Sequence, residues 1–399
     1  MLKVTLNLGK DHSAKRFHPW IFSGAIKKIT NDNNEIEKPT EGSVVRVVSS
    51  KDEFLGIGHY QNGSIMVRII SFEEINIDIN FWVNKITEAF ELRQLIGLTN
   101  NESTSIYRLI HAEGDGLPGL IIDYYKGTAV IQSHSIGMHF AKSDIVEALK
   151  MVFKNKLIAV FDKSSDTLPK NAIPNIIDHY LWGEELQECI AKENDCLYNI
   201  DWLKGQKTGF FIDQRDNRAL LGKYANGKKV LNTFCYTGGF SVSALKNGAL
   251  LAHSVDASKR AIELTNENIT INGFEAKHES FVMDTFDFFN KNDLSIYDIV
   301  VLDPPAFAKH QNVKHNAIQG YKRLNATAMK EMKSGSLLFT FSCSQVIDQQ
   351  LFYNTVMSAG ILVGRKIKVL HQLTQPADHP INIFHAESSY LKGLVLQIL

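Results

Sequence analysis

No apolar run in these 399 residues approaches the roughly 18–20 that a helix needs to cross a bilayer, so a helical membrane protein is excluded. The opening residues Met1 to Leu8 alternate like a strand and lack the basic and apolar regions of a secretion signal, which makes the cytoplasm the expected compartment. Cysteine is scarce. Cys189, Cys196, Cys235 and Cys343 are too few for a disulfide framework and none stands in CxxC spacing, so neither a secreted scaffold nor a metal site is expected. A surplus of either charge is also missing: Lys plus Arg equals Asp plus Glu at 43 each, and no global field draws a polyanion. Repeats and low-complexity tracts are absent. The 44% hydrophobic and 22% charged residues that are present exclude disorder and leave length for two or three globular domains.

With zero net charge, nucleic-acid binding must rest on local patches. Lys10, Lys15, Arg16, Lys27 and Lys28 face only Asp11 in one stretch, and Lys309, Lys314, Lys322 and Arg323 face only Asp303 in another. Either run could equally be solvated surface.

The first 72 or so residues read as strands broken by turns, at Val44–Val48, Phe54–Gly58 and Ile65–Ile70, the pattern of a small barrel-like module. A helix over roughly Phe81–Ile96 follows, then strands at Ile106–His111, Gly119–Tyr124 and Ala129–His134, a helix near Phe140–Phe153 and a strand at Leu157–Phe161. Ser164–Pro174, polar with two prolines, reads as a linker. Cys189–Ile200 reads as a hairpin turning at Glu193-Asn194, and Gln214–Tyr224 as a helix. From Lys229 strands alternate with helices, at Val230–Phe234, Leu251–Asp256, Glu279–Met283, Ile299–Leu302 and Leu337–Phe341. That alternation predicts an α/β fold with a parallel, doubly wound sheet, followed by late strands near Lys366–Leu373 and Leu391–Ile398.

Ligands of an open α/β sheet bind beyond the C-terminal ends of its strands. Each of the five expected ends carries polar or special residues: Asn232 to Gly239, Asp256, Asp284, Asp303-Pro304-Pro305 and Ser342-Cys343-Ser344. The pair Gly238-Gly239 lets backbone approach a ligand. GxGxxG and a phosphate-binding lysine are both missing, which argues against dinucleotides and nucleoside triphosphates. Asp256 can accept both hydroxyls of a ribose, or simply cap the helix that starts near Ser258; Asp284 can equally start a helix. Pro304-Pro305 hold a rigid, extended backbone after Asp303, so that carbonyls can face a base or an amine. Cys343 alone would pass for an ordinary buried cysteine. Beside Asp303 it is a candidate nucleophile.

The segments His18–Ile26, Lys207–Asp216, Asn232–Phe240, Leu302–Phe307, Phe341–Ser344 and Ala377–Pro380 carry a likeness that runs through essentially the whole chain. The sequence resembles the class I S-adenosylmethionine-dependent methyltransferases, and within them the bacterial large-subunit (23S) ribosomal RNA cytosine-5 methyltransferases of the methyltransferase I type. The resemblance implies an N-terminal, RNA-binding PUA domain over residues 1–72, a central α/β domain over 73–185 and a Rossmann-like catalytic domain over 186–399. It implies S-adenosylmethionine as cofactor, held by Phe211, Gln214, Asn232, Phe234, Tyr236, Thr237, Gly238, Gly239, Asp256, Ser258, Asp284 and Asp303 under a lid formed by Gly209–Arg215. It makes Cys343 the nucleophile, with Asp303 beside it, and large-subunit ribosomal RNA the partner. Lys10, Lys15, Arg16, Lys309, Lys322 and Arg323 are then the expected RNA contacts. The extra N-terminal half could also serve dimerisation, so a homodimer stays open.

Chemistry independently wants the cysteine. Cytosine C5 is a poor nucleophile, and a thiolate adding at C6 makes it enamine-like and reactive. Asp303 would ease addition by protonating the N3 side. The wider RNA cytosine-5 group often places a second cysteine directly after the proline of this motif, to help release product; here Ala306 stands there. Three other readings stay open: methylation of another RNA or base position, exocyclic-amine chemistry, and a non-catalytic RNA-binding assembly factor. The second is disfavoured because the aromatic that should follow Pro305 comes one place late, at Phe307.

Overall fold

A run such as Val44–Val48, rich in β-branched residues, gains most by pairing into a sheet with its alternate side chains packed on one side. In the computed structural model, which describes every residue except 170–172, 174 and 309–312, it does so within a six-stranded sheet. The strands are β1 (Leu2–Leu6), β2 (Trp20–Phe22), β3 (Ile26–Thr30), β4 (Val44–Val48), β5 (Phe54–Tyr60) and β6 (Ile65–Ser71), in the order β2-β6-β5-β4-β1-β3. Val4, Leu6, Val45, Val47, Val67 and Ile69 lie in its core. Gly58 has to be glycine, because a Cβ there would lie 2.3 Å from the Arg68 carbonyl oxygen of β6.

A five-stranded sheet follows, in the order β11-β10-β9-β8-β7. Its strands are β7 (Ile106–His111), β8 (Leu120–Tyr125), β9 (Thr128–Ser133), β10 (Ala159–Asp162) and β11 (His179–Gly183). Helices Ile79–Leu95 and Lys142–Phe153 share its core. The helix expected near Phe140–Phe153 is Lys142–Phe153, and a short helix Ile136–Phe140, capped by Ser135, precedes it. β11 has no counterpart among the expected strands; it carries no β-branched residue and stays half exposed at the sheet edge. The expected linker begins tied down rather than loose. Ser164 is buried, accepts the Ser133 N–H at 2.9 Å and donates to Asp162; the linker's residues 170–172 and 174 lie outside the described residues.

Both sheets belong to one compact unit, Met1–Ala191 with Ile200–Phe210 and Ala377–Ser388. Arg93, 0% exposed, ties the late segment in: it forks onto Asp115 and donates to the Asp378 carbonyl at 2.7 Å.

The second unit comprises Lys192–Asn199, Phe211–Pro376 and Ser389–Leu399. The hairpin β12 (Ile190–Glu193) to β13 (Cys196–Asn199) turns at Asn194-Asp195, one residue later than expected. Both turn residues have positive φ, 49° and 60°, which Asn and Asp tolerate and Glu does not. The main sheet holds β14 (Lys229–Thr233), β15 (Leu251–Asp256), β16 (His278–Val282), β17 (Ile299–Leu302), β18 (Leu337–Ser342), β19 (Ile367–Thr374) and β20 (Lys392–Ile398). Their order is β16-β15-β14-β17-β18-β20-β19. The first five are parallel, as the alternation predicts. β20 runs antiparallel to both its neighbours. Strand order reverses at β14, and ligands of open α/β sheets bind beyond the strand ends at such a switch.

Candidate active site

β14 ends in a loop held in unfavourable backbone conformations. Phe234 and Tyr236 stand at φ 55° and 46°, and Gly238 at 73°; left-handed backbone costs an aromatic residue on the order of 1 kcal/mol or more. Neighbours over-determine it. The Cys235 N–H donates to the Val255 carbonyl at 3.1 Å and the Tyr236 N–H to Asp256 Oδ2 at 3.0 Å. Thr265 Oγ1 donates to the Tyr236 carbonyl at 2.8 Å, and Asn268 Nδ2 to that of Thr237 at 2.9 Å. A side chain at Gly238 would meet Thr265 Cγ2 at 2.7 Å. Cys235 is fully enclosed within the loop, and burial holds its thiol far above the ordinary value.

Asp256 stands at the end of β15. Its Oδ1 accepts the Ser258 N–H at 2.9 Å, and the cap of helix Lys259–Ile271 is Ser258 itself, which accepts from Ala261 at 3.3 Å. The carboxylate is thus fixed at the loop with lone pairs to spare for a diol. Asn232, 1% exposed, donates to Ser241 Oγ at 3.0 Å while its own Oδ1 has no partner. A buried acceptor left unpaired beside a glycine-built cradle fits a ligand that supplies a donor. Asp284 is exposed and caps helix Thr285–Lys291, accepting from Phe286 at 2.8 Å.

Asp303, at the end of β17, accepts from Gln214 Nε2 at 3.1 Å, and Asn217 orients that amide through a 2.7 Å bond to Gln214 Oε1. Burial first, then the neighbouring Asp213 charge, raises the Asp303 carboxyl to about 7. Tyr390 holds Asp213 through a 2.7 Å hydroxyl bond. Cys343 follows β18 and is partly buried. Burial and the charges of Asp303 and Asp213 push its thiol up to about 11. Ser344 Oγ donates to the Ala308 carbonyl at 2.7 Å and anchors the turn after the cysteine. Phe307 packs on Tyr321, ring centroids 4.6 Å apart, so it is not presented to a target base.

The sequence reading overlooked several residues that build this site. Arg218 forks onto Glu193 at 2.6 and 2.7 Å and donates to the Phe211 carbonyl at 2.9 Å, while Phe211 meets Tyr236 edge-on at 5.1 Å. Although burial works against the charge, Glu193 holds the guanidinium above its ordinary value. Arg218 follows the quoted Lys207–Asp216 motif by two positions, a signal of place but not of role.

Among the expected RNA contacts, Lys10 and Arg16 are exposed. Lys15 is exposed too but already paired, with Asp11 at 2.7 Å and Glu53 at 2.8 Å. Lys322 and Arg323 lie on helix Lys314–Glu331, with Arg323 over the Phe286 ring at 4.6 Å. Lys309 lies outside the described residues.

A glycine-containing loop and the fixed Asp256 carboxylate thus stand together at the switch point of the sheet. The S-adenosylmethionine-dependent methyltransferase family matches residues 147–380, and the PUA-like domain family matches residues 4–72. Ribosomal RNA large subunit methyltransferase I of Shewanella amazonensis is 36% identical, covering 100% of this chain and 99% of its own. The protein of the same name from Photobacterium profundum is 36% identical over 99% of each chain.

The chain belongs to this methyltransferase family.

Its cofactor is S-adenosylmethionine. A solved Streptococcus mutans protein assigned as a SAM-dependent methyltransferase superposes with a TM-score of 0.83 at 25% identity, covering 100% of both chains. A second solved methyltransferase, complexed with SAH, gives 0.84 at 25% identity and the same coverage. Among the described residues no helix is long and apolar enough to cross a membrane.

Proposed function

We propose that this chain transfers the methyl group of S-adenosylmethionine to C5 of a cytosine in large-subunit ribosomal RNA, through an adduct between Cys343 and C6 of the base. The observation that carries the reading is a thiol and a carboxyl raised to about 7 at the ends of the neighbouring strands β18 and β17. Ribosomal RNA as substrate follows the name shared by the relatives, and it locates the work in the cytoplasm.

S-Adenosylmethionine supplies an electrophilic methyl group when bound. The loop Phe234–Gly239 and the Asp256 carboxylate are placed to hold it. Near neutral pH a fraction of Asp303 keeps its proton and can pass it towards cytosine N3 while Cys343 Sγ bonds to C6. Because its thiol is held at about 11, Cys343 gives up its proton as it attacks, to the carboxylate that Asp303 becomes on protonating N3 or to water, rather than resting as a thiolate. The Cys343–C6 bond makes C5 enamine-like and able to accept the methyl group; loss of the C5 proton to a base then lets that bond break and restores the ring. A cytosine stacked in RNA is out of reach, so it must be flipped towards the space served by Asp303 and Cys343. Lys10, Arg16, Lys322 and Arg323 are the cations we assign to phosphate contacts. Exocyclic-amine chemistry fits less well, since Phe307 is spent on Tyr321.

The test is covalent. Target RNA carrying 5-fluorocytidine should trap the enzyme, because fluorine cannot leave C5 as a proton, and mass spectrometry should find the RNA on the Cys343 peptide. Cys343→Ser should lose turnover and keep cofactor binding. A cross-link on Cys235, or full methyl transfer by Cys343→Ser, would overturn the reading.

A further inference from the structure

Lys392 opens β20 and pairs across the ladder with Ser342, the residue before Cys343. Its side chain reaches past the cysteine, and Nζ donates to the Ser344 carbonyl at 2.6 Å and to the Tyr390 carbonyl at 2.6 Å. Lys392 thus engages the residue on each side of Cys343, Ser342 through the backbone ladder and Ser344 through its ammonium group. Lys392 is only 6% exposed, and among the described residues it forms no ion pair with a carboxylate. A buried ammonium held by neutral carbonyls alone is costly, and such a cost persists where the charge has work to do.

The charges around the pair indicate that work. Asp303 and Asp213 both oppose a negative charge on Cys343, and Lys392 is the neighbouring cation that favours it. Burial in turn draws the Lys392 amine down to about 8, with Cys343 and Asp348 as the groups that favour its charged form.

We propose that Lys392 is a positioning residue for Cys343: its ammonium fixes the carbonyl that follows the cysteine and stabilises the negative charge that gathers on sulfur during attack. This rests on Cys343 as the nucleophile of the proposed reaction. It also explains how a thiol placed beside two carboxyl groups can serve at all.

The test follows the sulfur, not turnover alone. Cys343 alkylation by iodoacetamide is read by peptide mass in wild type, Lys392→Met and Lys392→Arg at pH 7, where the Lys392 amine is still mostly charged. Loss of the cation should slow alkylation roughly tenfold, the change expected when the thiolate fraction falls by about that factor, and Arg should restore most of it. In the same variants kcat should fall about tenfold or more for Met, with KM for S-adenosylmethionine within about twofold. A folded Lys392→Met with reduced kcat but unchanged alkylation would overturn the proposal, since Lys392 would then be only a strut. Should that variant fail to fold, Lys392→Gln takes its place: it can still donate to the Ser344 carbonyl but carries no charge, and alkylation as fast as wild type would overturn the proposal. Alkylation needs no substrate, so methyl transfer by Cys343→Ala would sink the proposed reaction while leaving the Lys392–Cys343 measurement intact.

Discussion

Replacing Asp303 by Asn should make the second unit more stable above neutral pH while abolishing methyl transfer. The reasoning runs through proton linkage. An unfolded Asp titrates near 3.9, and in the fold burial and Asp213 raise this carboxyl to about 7. The folded state therefore binds the proton more tightly, and stability tied to this group is present below about pH 4 and is lost as pH rises to about 7. A gap of roughly 3 units at about 1.4 kcal/mol each sets a ceiling of roughly 4 kcal/mol, and relaxation around the charge brings the expected value to about 1–4 kcal/mol. Asn keeps the shape and still accepts the 3.1 Å bond from Gln214, so the variant isolates the charge. Thermal unfolding of wild type and Asp303→Asn, followed from pH 4 to pH 8, is the assay. The two should converge near pH 4 and separate by several degrees, up to roughly 10 °C, at pH 8. Parallel curves across that range would refute the argument, because the carboxyl would then titrate as an ordinary one.

Three further outcomes are expected. Asp256→Ala should weaken S-adenosylmethionine binding roughly tenfold to a hundredfold by calorimetry, on the order of 1–3 kcal/mol for lost charge-assisted bonds; unchanged affinity in a folded protein would remove Asp256 from the site. Arg218→Met should destabilise the second unit by roughly 3–5 kcal/mol in denaturant, because Glu193 would be left buried and unpaired, and adding Glu193→Gln should recover much of that loss. Arg16→Ala should flatten the salt dependence of RNA binding by somewhat less than about one unit of log–log slope. Lys15→Ala should change that slope far less, since Asp11 and Glu53 already neutralise the lysine, and equal effects of the two would show that this pairing does not persist in solution.

Much of the architecture was legible in the chain because it depends on local pattern. Strand–helix alternation after Lys229 and buried runs such as Ile299–Leu302 require a parallel sheet covered on both faces, and the chemistry then has to gather at the strand ends. Gly238, Asp256, Asp303 and Cys343 could be picked out for that reason alone. Local pattern failed where a residue's meaning lies in a distant partner. Asp303 and Asp213 are 90 positions apart in the sequence, yet the charge of Asp213 adds to burial in raising the Asp303 carboxyl. Arg218 reads as one more helix charge until Glu193 on the hairpin strand is folded against it. Lys392 sits in a late strand without a motif, with Tyr390 two residues ahead of it, and only the insertion of β20 beside β18 brings the lysine to the Cys343 segment. The patch containing Lys15 looked basic because Glu53, its second partner, lies 38 residues away. Sequence determines which faces are buried and where strands end, since both follow from short-range periodicity. Charge state follows from burial and from neighbours brought together by the chain's return, and that was decided only by the tertiary structure.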